Sequence, residues 1–278
     1  MVRIKKGLAL FFHIKKRYRN TIENEILFLT PSLGTKWVYY QQHLIKKAFP
    51  NSKRIIINGK YRWDFNLQTD CVWYDFIKIA LQFKSRYKYF IHIDEDCFLI
   101  DSKGIYDAIE LMEANKYSLI GPPDGVYEFR QGNPFALNSF FMVGRIDHLE
   151  KVWSNYNIGL TFSDLNLPNP LGKANVHFEA EHYYDFFCNF YANQFKLGFL
   201  IPTFEDRFKS TNLKVEESKS TFCIHLWYTR DWNESFLVHG MENKNRYRAL
   251  EIFLEENKLA PKWNLLSKLD IWLHTHAI

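Results

Sequence analysis

Short apolar runs alternating with longer amphipathic stretches constrain this 278-residue chain more than any other feature. Glu25–Thr30 (EILFLT) is an apolar run closed by Pro31-Ser32-Leu33-Gly34, the pattern of a buried strand entering a loop. Trp37–Phe49 follows with Trp37, Tyr40, Leu44, Ile45 and Ala48 at helical spacing, and stops at Pro50-Asn51. Arg54–Asn58 (RIIIN) is a second β-branched run. Asp70–Arg86 then places Val72, Phe76, Ile79, Ala80 and Phe83 on one helical face, with an acid at its start and Lys84 and Arg86 in its last turn. Strands and helices in this order predict βαβ units and a largely parallel sheet with helices on its faces.

The pattern continues with helices expected at Ile105–Asn115, Asp147–Tyr156 and Glu179–Gln194, and strands at Ser118–Ile120, Leu137–Val143, Gly198–Ile201 and Phe222–Leu226. The Pro-broken stretch Asn157–Lys173 reads as a surface loop. The division expected is a basic arm (1–20), one α/β domain (21–244) and a helical extension (245–278).

Composition narrows the function classes. Basic residues number 36 against 31 acidic, a net +5, but residues 1–20 alone carry +7, leaving −2 for the rest. The body is therefore not a nucleic-acid-binding surface. In the arm, Gly7–Ile14 is far shorter than the ~20 residues of a spanning helix, and no small-residue cleavage site follows it. Basic clusters around Leu8, Leu10, Phe11 and Phe12 leave two readings: peripheral contact with the inner face of an anionic membrane, or a lead-in to the first strand. Cys71, Cys97, Cys188 and Cys223 lack CxxC spacing and read as reduced core thiols of a cytoplasmic protein.

The stretch that carries chemistry is Tyr89–Ile100 (YFIHIDEDCFLI), an apolar strand running into Asp94-Glu95-Asp96. Alternation along a strand puts Asp94 and Asp96 on one face and Glu95 on the other. Two adjacent carboxylates repel each other, and a cation between them removes that cost. Oxygen ligands at a strand end suit Mg²⁺ or Mn²⁺ carrying substrate phosphates better than zinc. The carboxyl ends of parallel strands are also where open α/β sheets bind ligands. His92 lies deeper on the same strand and reads as structural.

With this D-x-D strand in place, the chain resembles the GT-A glycosyltransferases, which transfer sugars from nucleotide diphosphate donors. A second match is Cys223–Trp232 (CIHLWYTRDW), similar to the C-terminal segment of several such families. The resemblance implies a Rossmann-like, mostly parallel sheet and a metal held by Asp94, Asp96 and His225. Arg230 and Trp232 would close over the diphosphate. Arg230-Asp231-Trp232 stands where the family ending is basic-Pro-Trp. By position in that fold, Thr30, Pro31, Ser32 and Asn58 would meet the nucleoside, with Asp94 also on the donor. Asn138 and Ser139 would line the sugar and acceptor site, and Asp124, in the rigid loop Gly121-Pro122-Pro123-Asp124, is read either as a donor-sugar contact or as a turn acid. Asp70 is read as capping its own helix, with the ribose or base as the other reading.

Sugar transfer by inversion needs a base for the acceptor hydroxyl. The resemblance points to an acid at the start of a late helix: Glu181 first, Glu179 second, Asp185 third. The helix macrodipole also favours acids there. The expected activity is metal-dependent hexosyl transfer from a nucleotide diphosphate sugar, a UDP-sugar first, to a hydroxyl of a glycan or glycolipid, with inversion slightly favoured. Two alternatives stand beside it. One is a sugar-phosphate nucleotidyltransferase, although Thr30–Thr35 (TPSLGT) has only one glycine. The other is a non-catalytic carbohydrate-binding protein of the same fold.

Overall fold

The computed structural model describes residues 21–32, 35–58, 70–124, 133, 135–167, 180–227, 235, 237–238, 240–262 and 264–277. Strand β1 (Ile26–Ser32), helix α1 (Trp37–Ala48), β2 (Lys53–Asn58), α2 (Asp70–Gln82) and β3 (Tyr89–Ile93) follow the alternation read from the sequence. β1 pairs in parallel with β2 on one side and with β3 on the other. Side chains alternate along β1, so Ile26 and Phe28 enter one apolar layer while Leu27 and Leu29 enter the opposite one. A strand covered on both faces needs a continuous apolar run, which EILFLT supplies.

The sheet has seven strands in the order β13-β2-β1-β3-β6-β5-β7. It is completed by β5 (Tyr117–Gly121), β6 (Phe141–Arg145), β7 (Lys196–Phe199) and β13 (Thr275–Ala277). Pairing is parallel except at β6, which runs antiparallel to both β3 and β5. The fold is thus mixed α/β with a mostly parallel central sheet between helices, as expected. Gly144 of β6 marks close packing: a Cβ there would lie 2.3 Å from Phe90 Cζ and 2.4 Å from Leu119 Cδ2.

Helices α2, α4 (Ile146–Ser154) and α5 (Ala180–Ala192) contribute to one core layer, where Phe76, Ile77, Leu149, Phe186 and Phe187 meet Leu27, Leu29 and Phe90. On the other face Phe49 of the α1 C-cap and Ile105, Ile109 and Met112 of α3 (Lys103–Asn115) pack on Ile26, Phe28 and Ile91.

A second, four-stranded sheet is ordered β4-β10-β9-β8. It comprises β4 (Cys97–Leu99), β8 (Ile201–Glu205), β9 (Ser210–Lys214) and β10 (Cys223–His225). The strand expected at Gly198–Ile201 is therefore divided, β7 ending in the main sheet and β8 beginning the small one. The C-terminal part is not only helical. After the β11 (Leu237–Val238) and β12 (Met241–Glu242) hairpin come α6 (Asn243–Glu256), α7 (Leu265–His274) and β13, which pairs with β2. The expected division at 244/245 falls within α6, whose Tyr247, Leu250 and Leu254 share a core cluster with Trp37, Phe98 and Ile224. Among the described residues no helix is long and apolar enough to cross a membrane.

Candidate metal centre

The strand expected to run through Asp94–Asp96 ends before them. β3 stops at Ile93, and Asp94–Asp96 forms a turn in which Cys97 N donates to Asp94 O at 3.0 Å. The turn is anchored from two sides. Asp94 N donates to Phe140 O at 2.9 Å, and Gln41 Nε2 donates to the carbonyls of Ile93 at 3.1 Å and Asp94 at 2.8 Å. Gln41 is fully buried on α1, and its carboxamide oxygen accepts from Gln42 Nε2 at 2.7 Å. Backbone groups at the end of a buried strand need such partners, because water cannot supply them.

The chain leaves this turn directly into β4, and β4 pairs antiparallel with β10 so that Cys97 faces His225. Leu226 N then donates to Asp96 O at 3.0 Å. These two ladder contacts bring an imidazole from far downstream onto the aspartate turn. His225 Nε2 lies 3.2 Å from Asp96 Oδ1, and one ligand atom from each of Asp94, Asp96 and His225 falls within 4.8 Å of the others. His225 Nδ1 is buried without a hydrogen-bond partner among the described residues. Side-chain exposure grades from 4% at His225 through 13% at Asp96 to 33% at Asp94, so the cluster opens outward on the Asp94 side.

This donor set fits a hard divalent ion. Octahedral ligands about 2.0–2.1 Å from Mg²⁺ sit about 3 Å apart along an edge, close to the His225–Asp96 separation. Two carboxylates and one imidazole leave the remaining positions for water or substrate oxygen.

Aromatic rings fix the imidazole. Phe140 stacks on it, centroids 4.0 Å apart and 8° from parallel, and Trp227 meets it edge-on at 4.3 Å and 67°. The indole is held by its own hydrogen bond, Nε1 donating to Thr211 Oγ1 at 2.8 Å. Below the turn, His92 Nδ1 is 4.0 Å from Asp94 Oδ1, but this is no ion pair. Burial pushes the His92 pKa down to about 4, against a smaller opposing effect of a backbone hydrogen bond with Ser139, so the ring is neutral at pH 7. Beneath the site Cys97 and Cys223 are free, fully buried thiols with sulfurs 3.0 Å apart, and burial raises the Cys97 pKa. Cys188 is likewise free and buried.

Glu95 turns toward the exit of β1, set there by the turn and not by strand alternation. Its Oε2 accepts from Ser32 Oγ at 2.6 Å and Thr35 N at 3.3 Å, tying the metal turn to the exit of β1. The Ser32 hydroxyl is therefore directed at Glu95. Thr30 is fully buried, its hydroxyl placed 3.3 Å from Gln41 Oε1 and accepting from Gln42 Nε2 at 3.0 Å. Pro31 is partly exposed at the same strand end. Asn58 ends β2, opposite Ser32.

Asp124 and Asn138 form a buried pair, Asn138 Nδ2 donating to Asp124 Oδ1 at 2.6 Å, while Tyr184 Oη donates to Asp124 Oδ2 at 2.8 Å. Ser139 beside them is partly exposed. Asp185 accepts from Tyr156 Oη at 2.6 Å and Gly159 N at 3.0 Å, which anchors the loop after α4. Glu181 is in the first turn of α5, its side chain outside the described residues, as are Asn58's and Asp70's. Glu179, Arg230 and Trp232 lie outside the described residues altogether.

Sequence reasoning passed over Gln41, Phe140, Trp227 and Arg246. Gln41 had a signal: it sits four residues from both Trp37 and Ile45, a polar side chain inside an apolar stripe. Arg246 had the same signal four residues before Leu250. Phe140 and Trp227 had none, because aromatic residues are abundant throughout the chain.

No protein-family profile and no curated protein matches the chain by sequence. Among solved structures, one similar in part is "a glycosyltransferase involved in the glycosylation of the major capsid of PBCV-1". It shows 16% identity and a TM-score of 0.36 over 48% of this chain and 67% of that one. Another is the catalytic domain of Drosophila beta1,4galactosyltransferase 7 in complex with xylobiose. It shows 13% identity and a TM-score of 0.38 over 74% and 73% of the two chains.

Proposed function

We propose that the protein is a metal-dependent glycosyltransferase that moves a sugar, a hexose first, from a nucleotide diphosphate to a hydroxyl of a glycan or glycolipid. The observation that supports this is the convergence of Asp94, Asp96 and His225 at the carboxyl end of β3, next to the exit of β1. Asp94 and Asp96 would supply carboxylate oxygens and His225 a ring nitrogen to hold Mn²⁺ or Mg²⁺. Such an ion, when bound, offsets negative charge on a departing diphosphate. Pro31 and the Ser32–Glu95 pair border the space where a nucleoside would lie. Arg230, in the segment following Trp227, offers a planar fork to phosphate oxygens, and Trp232 an aromatic face. Ser139, partly exposed, would line the sugar. Asn138 and Asp124 support that wall through their mutual hydrogen bond.

Glu181, at the start of α5, takes the proton of the acceptor hydroxyl. The hydroxyl oxygen bonds the anomeric carbon from the face opposite the departing nucleoside diphosphate, so the single displacement inverts that carbon. Peripheral binding to an anionic membrane through residues 1–20 would bring the enzyme to a lipid-linked acceptor.

The test is a panel of nucleoside diphosphates with and without Mn²⁺, read by thermal unfolding. A true donor nucleotide at saturation is expected to stabilise the fold by ~2–4 kcal/mol, only with metal present. Stabilisation by a nucleoside triphosphate together with pyrophosphate release would refute the assignment. So would glycan binding indifferent to metal and to Asp96→Ala.

A further inference from the structure

Arg246, on α6, is the largest charged side chain buried completely among the described residues. Its guanidinium reaches three backbone carbonyls in two separate segments and one side-chain oxygen. Nε donates to Phe208 O at 2.8 Å and Nη2 to Lys209 O at 3.1 Å, both in the turn between β8 and β9. Nη1 donates to Trp227 O at 2.9 Å and to Asn243 Oδ1. These four acceptors are uncharged. Burying a cation against neutral carbonyls is expensive, and burial pushes the Arg246 pKa down to about 10, with Tyr247 and then Asp96 opposing the shift. A planar fork spreads its donors over three nitrogens in fixed directions and so spans these segments, whereas an ammonium's three donors share one atom and a carboxamide has only two.

The position of this tie matters because Trp227 is two residues beyond His225. Its carbonyl is held by Arg246, its indole nitrogen by Thr211 of β9, and its ring bounds the His225 imidazole. We propose that Arg246 is a positioning residue for the metal centre, holding Trp227 against the β8–β9 turn and so fixing the approach of His225 to Asp96. This deepens the metal reading and rests on it. Arg246 touches neither the ion nor the reacting groups. It acts through Trp227.

The experiment measures Mn²⁺ affinity directly, by the electron paramagnetic resonance signal of free Mn²⁺, on the full chain without nucleotide. Arg246→Lys keeps a cation but not the fork. It is expected to weaken Mn²⁺ binding about tenfold, as loss of outer supports to metal ligands does, and to shift the His225 ring resonances in NMR spectra of the metal-free protein. Should that variant fail to fold, Asn243→Ala removes one acceptor and leaves the rest of the tie. A two- to fivefold weakening is then expected. If a folded variant binds Mn²⁺ within the error of wild type and leaves the His225 resonances unmoved, the positioning role is wrong while the metal site stands. A wild-type protein that binds no Mn²⁺ overturns the metal reading and this inference together.

Discussion

Asp96→Asn separates the ion from the fold with a change of one atom. Without metal, the asparagine oxygen still faces His225 Nε2, 3.2 Å from the carboxylate oxygen it replaces. Stability should therefore stay within about 1 kcal/mol of wild type, the net scale of one hydrogen bond. With metal the two proteins diverge. Mn²⁺ at a hundred times its dissociation constant stabilises the wild type by about 2.7 kcal/mol. At roughly 2.1 cal/mol/K per residue, a chain of this length unfolds with an entropy near 0.6 kcal/mol/K, so Tm rises about 4–5 °C. Loss of one anionic ligand from a set of three should weaken binding at least a hundredfold, more than an outer-shell change does. At the same Mn²⁺ concentration the variant then gains only about 0.4 kcal/mol, less than about 1 °C. Circular-dichroism melts after EDTA treatment, repeated along a Mn²⁺ titration, give both numbers. Equal Mn²⁺ shifts in the two proteins would place the ion elsewhere and refute the site.

Three further outcomes follow from the packing and the charges. Gln41→Leu removes the side-chain donor shared by the carbonyls of Ile93 and Asp94, the latter keeping Cys97 N, and the acceptor of Gln42 Nε2. It should cost about 2–4 kcal/mol in urea unfolding and weaken Mn²⁺ binding, and an unchanged unfolding midpoint would count against its anchoring role. Gly144→Ala forces a methyl into Phe90 and Leu119; the expected loss is roughly 1–3 kcal/mol with metal affinity unaltered, and a variant as stable as wild type would show that β6 yields easily. His92, neutral in the fold with its pKa at about 4, is protonated in the unfolded chain below about 6.5. Since the unfolded state then binds more protons, stability falls as pH drops from about 6.5 to 4, by roughly 3 kcal/mol at the lower end. His92→Gln should flatten this limb in urea titrations at fixed pH, and a limb of unchanged steepness would assign it to other groups.

Much of the architecture was legible because local pattern and tertiary environment agree. EILFLT and RIIIN are too apolar to be half-exposed, and both became sheet strands covered by helices. Asp94 and Asp96 could be singled out because the acids, which alone would read as a solvated turn, follow an apolar strand that comes after a βαβ unit. Direction was not legible. β6 reads as an apolar strand whichever way it runs, and only its neighbours made it antiparallel. Nor does anything near Thr275–Ala277 announce that it pairs with β2, since edge position is a property of the assembled sheet.

The sequence by itself determined the chemistry on offer: a pair of aspartates at the end of a buried strand, and a histidine followed by an aromatic and basic segment. The tertiary structure alone decided that they meet. The β4–β10 ladder sets His225 opposite Cys97, and Gln41, Phe140, Trp227 and Arg246 hold the turn and the ring where they face each other. Those supports left little trace in the pattern because a hydrogen bond to a carbonyl or a ring against a ring depends on distance in space. Residues far apart in the chain acquire such distances only once the two sheets have formed.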